Sequence, residues 1–104
     1  MQQIQLAAVP NQSLSFTVDG NLWQITIKQA VTSMIMDVVV NDQVLISGTR
    51  IPGDDFILPY PYIGVQFGNL MLTTERNMLP DYTQFGATQQ LFYWTPEEME
   101  ALSG

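Results

Sequence analysis

Along two consecutive stretches of this chain, apolar and polar residues alternate one by one, and an Asp-Gly step joins the stretches. The first is Leu14-Ser15-Phe16-Thr17-Val18, the joint is Asp19-Gly20, and the second is Leu22-Trp23-Gln24-Ile25-Thr26-Ile27. Successive side chains of a strand point to opposite faces, so a period of two marks a strand with one covered face. Asp-Gly between two such runs is a strong hairpin signal, because both residues tolerate the positive φ of a tight turn. Trp23, Ile25 and Ile27 share one face of the second run, and Gln24 and Thr26 the other.

A second hairpin follows. Met34–Val40 is apolar and β-branched except for Asp37, Asn41-Asp42 supplies turn residues, and Val44–Ser47 returns. Met34, Met36, Val38 and Val40 form a face without charge, so that face is the expected core side. Gly48 is expected to end the strand or mark a bulge. Residues 49–68 read as an irregular connection. In it Ile51-Pro52-Gly53-Asp54 has the proline and glycine of a type II turn, and Pro59 and Pro61 favour extended backbone before them. Leu70–Thr73 and Gln90–Trp94 are the later strands, separated by a long polar segment, Thr74–Gln89. A connection of that length is expected to be functional or flexible.

Thr95-Pro96-Glu97-Glu98 is a helix start, with Thr95 as N-cap, Pro96 at the first helical position and Glu98 closing a capping box. Met99 and Leu102 are placed to share one face of this short helix. The expected architecture is therefore all-β: a small antiparallel β-barrel or sandwich built from hairpins, with a short C-terminal helix. A chain of 104 residues is read as a single domain, 1–104, with residues 1–94 as the β part and 95–104 as a short acidic helical tail.

Composition narrows the function. The chain has no cysteine and no histidine. That removes disulfides, thiolate metal sites, Cys nucleophiles, the usual neutral-pH general base and nearly all zinc and haem chemistry. Lys and Arg number 3 against 10 Asp and Glu, a formal net charge of −7. Such a chain has little with which to neutralise phosphates, so neither nucleic acid nor an acidic membrane surface is an expected partner. The N-terminus has no basic and apolar leader pattern. The uncharged stretch Phe56–Thr74 is interrupted by prolines and glycines that a spanning helix does not tolerate. The reading is a soluble protein used without export.

Few residues invite chemistry. Asp54-Asp55 lacks the spaced oxygen ligands of a calcium loop and reads as a solvated turn. Glu97, Glu98 and Glu100 read as helix-dipole partners rather than as paired catalytic carboxylates. Gly64–Gly68 matches no phosphate-binding spacing. No catalytic residue, metal site or cofactor is expected, and the chain is read as a non-enzyme.

The aromatic residues in the connections stand apart. Phe56, Tyr60, Tyr62, Phe67, Tyr82 and Phe85 fall outside the expected strands, and they serve either as an interface or as a lid folded over the core. Charged residues make up 12% of the chain, against about 25% in an average domain. So low a fraction suits a subunit covered by partners. A small β-barrel binding module for a carbohydrate or peptide is the alternative, and a pocket of roughly 300 Å³ or more would favour it.

Taken in order, several segments resemble one family. They are Val9-Pro10-Asn11-Gln12 closing a short N-terminal strand, Phe16 and Gly20, Leu22–Ile27, and Val44-Leu45-Ile46-Ser47-Gly48. They continue with Tyr60, Tyr62-Ile63-Gly64, Gly68-Asn69-Leu70, Pro80-Asp81, Phe85-Gly86 and Leu91-Phe92-Tyr93. This ordered set resembles the baseplate plug proteins of contractile-tailed phages and prophages over nearly the whole chain. The second hairpin opens on Met34-Ile35-Met36, without the aromatic that opens it in many relatives, and the resemblance does not extend to the acidic tail from Thr95. It implies a structural virion component in the tail baseplate, synthesised in the host cytoplasm. It also implies protein–protein contacts with hub, tail-tube or tail-tip proteins during tail assembly. Self-association within the assembly is compatible with it.

Overall fold

The computed structural model describes residues 1–58, 67–75 and 78–103. Tyr60 and Tyr62, with the Pro59–Pro61 and Gly64 readings, lie outside the described residues.

Among the described residues, seven strands form two antiparallel sheets. β2 (Gln12–Val18), β3 (Asn21–Gln29), β4 (Met34–Val40) and β5 (Gln43–Arg50) make a four-stranded sheet in the order β2-β3-β4-β5. β1 (Gln2–Ile4), β6 (Asn69–Thr73) and β7 (Gln90–Trp94) make a three-stranded sheet in the order β1-β7-β6. The sheets do not close into a barrel, so of the two expected architectures the molecule adopts the sandwich. Helix α1 (Pro96–Ser103) follows β7.

Both hairpins of the larger sheet turn on two residues at positive φ. Asp19 and Gly20 have φ of 50° and 77° between the paired residues Val18 and Asn21, and Asn41 and Asp42 have 51° and 66° between Val40 and Gln43. Positive φ at both central residues makes these type I′ turns, whose twist matches that of the strands they join. The uncharged face of β4 is buried as expected, and Trp23, Ile25 and Ile27 of β3 lie beside it. Gly48, at φ 63°, sits in a bulge rather than at a strand end, and β5 runs on to Arg50. The Asp37 carboxylate accepts the Gly48 N–H there. The register shifts once more between Val38 and Val39, so β5 is bulged twice.

The sheets meet through aromatic side chains. Trp23 stacks on Phe16 at 5.8 Å and meets Tyr93 edge-on at 5.3 Å. Ile4, Leu70, Leu72 and Leu91 join the same core from the smaller sheet. Among the described residues, the buried indole N–H of Trp23 has no acceptor. Its aromatic contacts therefore have to offset a desolvated donor, a burden of about 1–3 kcal/mol.

Three sequence expectations are corrected. The short N-terminal strand is Gln2–Ile4 and ends well before Val9-Pro10; Asn11 and Gln12 open the next strand region instead. The positive φ of the Ile51–Asp54 turn falls on Asp54, at 58°, and not on Gly53, so the type II geometry is not formed. Gly53 is needed for close packing: a Cβ there would lie 2.8 Å from the Met78 carbonyl oxygen. In α1, Met99 is fully buried while Leu102 is 58% exposed, so the two do not share a covered face. The capping box does form, the Thr95 N–H donating to Glu98 Oε1 at 2.9 Å and the Glu98 N–H to Thr95 Oγ1 at 3.1 Å.

Candidate interaction surface

Buried or half-buried amide side chains pin the irregular segments. Asn69 is fully buried; its carbonyl oxygen accepts the Leu58 and Leu70 N–H groups at 2.8 Å each, and its amide donates to the Leu58 oxygen at 3.1 Å. Gln89 is buried and does the same for the long connection, accepting from the Asp81 N–H at 2.8 Å and donating to the Leu79 oxygen at 2.9 Å. Gln12 makes a matching pair of bonds to the N–H and carbonyl of Ala7. A primary amide has a donor and an acceptor side by side, so each side chain satisfies a peptide group as a neighbouring strand would.

The 74–89 connection is therefore built rather than loose over its described residues. Asp81 caps a 3-10 turn at Tyr82–Gln84, accepting the Thr83 N–H at 3.0 Å. Asp54 accepts from the N–H and hydroxyl of Thr74. Phe85 is 4% exposed and belongs to the core, and Tyr82 packs half-buried against it.

Of the six aromatic candidates, the described ones are dispersed. Phe56 pairs edge-on with Trp94 at 5.4 Å on the outer side of the three-stranded sheet, where it bridges to Met71. Phe67 is half-buried against the core, and its carbonyl accepts the Tyr93 hydroxyl at 3.0 Å. Gly68 makes that approach feasible: it lies at φ 96°, and a Cβ there would come within 2.4 Å of the Trp94 oxygen. Phe85 thus has the lid geometry, while Phe56, Phe67 and Tyr82 each keep part of their surface open.

The chain's exposed apolar side chains fall largely elsewhere. Met78 and Leu79 are 57% and 68% exposed, and Val31, in the β3–β4 loop, is fully exposed. Met78, Leu79 and Pro80 form a ledge at one end of the sandwich. A shallow cleft of about 570 Å³ separates it from Gln29, Thr32 and Ser33, and another of about 350 Å³ from Arg50–Gly53. The Gln89 clamp on Leu79 and Asp81 holds the ledge backbone, and the Gly53 approach braces it from the other side. The side chains are thus displayed on a fixed backbone. Sequence reading missed this feature because Met78-Leu79 sits inside a polar segment. The signal was an apolar pair followed by proline in a stretch with no alternation.

Charged side chains are few and spread over the sheet face, the turns and the helix. Lys28 and Arg50 flank Ile35 in one cross-strand row on the outer face of the four-stranded sheet. Asp19 and Asp42 occupy the hairpin turns, and Glu97, Glu98 and Glu100 the helix. The Met1 amine pairs with Glu98, and this contact, helped by the Thr95 amide, holds the Glu98 carboxyl below the usual carboxylate range. Among the described residues, no group of three or more His, Cys, Asp or Glu is gathered so as to hold a metal ion, and no helix is long and apolar enough to cross a membrane. Asp54 and Asp55 spend their carboxylates on loop N–H groups. The clefts beside the ledge exceed the volume a ligand needs, but they are open grooves, and none of the described aromatic candidates lines them.

Fold and surface together define a small β-sandwich with an exposed apolar ledge at one end. Residues 1–97 match the family model described as cyanophage baseplate Pam3 plug gp18, and the chain belongs to this family of phage baseplate plug proteins, a structural class of the virion tail. No curated protein matches the chain.

Proposed function

We propose that the chain braces the tail baseplate by protein–protein contact with hub and tail-tube proteins during tail assembly, without catalysing a reaction. It is made in the host cytoplasm and carried in the virion. The observation that supports this reading most is the family match over residues 1–97. A rigid apolar ledge at one end of a chain with few charges agrees with it.

The contact surface in this reading is the Met78–Pro80 ledge with Val31, joined by the loop aromatics Phe56, Tyr60, Tyr62, Phe67 and Tyr82. Phe85 lies in the core instead. Three ledge residues are too few for a stable interface, which takes roughly 800 Å² per partner. The ledge would therefore be the central anchor, and the flanking clefts would receive partner side chains.

Quantitative peptide mass spectrometry on purified tails tests the placement. The expected result is this chain at a fixed ratio to hub and tube proteins, resistant to salt washing. Finding it only in the soluble lysate would refute the reading. Replacing Met78 and Leu79 together by Asp should remove the chain from tails while leaving its thermal transition within a few degrees, because neither side chain is in the core.

A further inference from the structure

The two sheets have four edges, and three are protected. β1 is only three residues long. β6 is covered by the chain at 53–57, where Asp54 donates to the Leu72 oxygen at 2.8 Å and Ile57 to the Leu70 oxygen at 2.9 Å. β5 is bulged twice and carries Arg50. Short length, cover, bulges and charge are the usual defences of a sheet edge against pairing with another chain.

β2 has none of them. It is seven residues long, uncharged and free of proline, and it pairs with β3 without a register shift from Gln12 to Val18. Among the described residues nothing pairs with its other side. Its inward residues Leu14, Phe16 and Val18 are only half-buried, although they pack on the core.

We propose that β2 is the edge through which two copies of this chain join, antiparallel, with Ser15 on the two-fold axis. The register follows from the hairpin. A two-residue I′ turn closes on a hydrogen-bonded pair, here Val18 and Asn21. Alternation then turns the backbone groups of Ser13, Ser15 and Thr17 to the free edge. Placing Ser15 opposite Ser15 of the second copy pairs those three residues with each other: Ser15 with Ser15, and Ser13 with Thr17 in both directions. The same register sets Leu14 across from Phe16 on the inner face, an apolar pair of the kind that stabilises sheets.

β2 carries no charged residue, so this register sets no like charges opposite each other along the strand. This inference does not depend on the baseplate reading.

The chain has no cysteine, so one substitution reports the register directly. Directly opposed residues of a hydrogen-bonded pair have Cα atoms about 5.5 Å apart, within disulfide range. The purified protein should sediment at twice 11.7 kDa at high concentration and dissociate on dilution. Ser15→Cys should form an intermolecular disulfide far faster than Ser47→Cys, which is exposed on the protected β5 edge. Ser15→Lys sets two ammonium groups face to face and should weaken the dimer about tenfold or more, with the monomer's thermal transition kept. A chain that stays monomeric at every concentration overturns the proposal. So does a dimer that survives Ser15→Lys and cross-links no faster at Ser15 than at Ser47.

Discussion

In the four-stranded sheet each strand follows its neighbour in sequence, and the β2–β3 and β4–β5 turns are two residues long at positive φ. Among the described residues, no further layer covers its outer face. In the three-stranded sheet β1 comes from one end of the chain and β6 and β7 from the other, and irregular backbone pinned by Asn69 and Gln89 wraps its outer side and β6 edge. The first sheet is held by local turn chemistry and alternation. The second depends on single buried amides that replace missing strand partners. Damage to a turn should therefore be shared among many ladder bonds, whereas damage to a clamp should open a whole segment.

The largest effect expected is at Asn69. Asn69→Ala strands the Leu58 N–H, the Leu58 oxygen and one acceptor for Leu70, which puts the loss at about 3–5 kcal/mol in chemical denaturation. Hydrogen exchange should quicken at Ile57 and Leu58 before it does in β3 or β4. A loss below about 1 kcal/mol would break the contrast between the sheets.

Tyr93, where the two sheets touch, comes next. Burial first, and then the nearby carboxylates of Asp19, Glu97 and Glu98, push its hydroxyl from 10.0 up to about 12. Below pH 10 folded and unfolded chains both keep the proton. Between 10 and 12 the unfolded chain releases it and the folded chain does not, so stability falls with rising pH by about 3 kcal/mol. Denaturation across that window should show the slope, and Tyr93→Phe should flatten it.

The smallest effect separates the sheets most clearly. Asn41 is also an asparagine with three tasks: it holds φ 51°, accepts the Leu22 N–H at 2.9 Å and donates to the Asn21 side chain at 2.8 Å. It is exposed, however, and water can replace both bonds. Asn41→Ala should lose about 1–2 kcal/mol, chiefly from the left-handed backbone. Exchange in β6 should not change. An Asn41→Ala loss equal to that of Asn69→Ala would mean that turn and clamp carry the same weight.

The hairpins were legible because both signals in them are local. Alternation is written residue by residue, and positive φ selects Asp, Asn and Gly at the turn itself. The capping box at Thr95 and Glu98 was legible for the same reason. The clamps were not. Gln89 and Asn69 look in sequence like polar loop residues, and only the approach of Leu79, Asp81 and Leu58 makes them core amides. The aromatic candidates illustrate the same limit: nothing near Phe85 in sequence distinguishes a side chain that enters the core from one that faces a partner.

The sequence by itself determined the all-β class, the two hairpins with their buried faces and the helix start. It also carried enough ordered similarity to point to the baseplate plug family. Only the tertiary structure decided that the sheets form a sandwich, that Met78 and Leu79 stand out on a braced ledge, and that among the described residues nothing pairs with the free side of β2. Those features depend on which distant segments pack together, and that choice is made by the summed burial of the whole core and not by the preference of any single stretch.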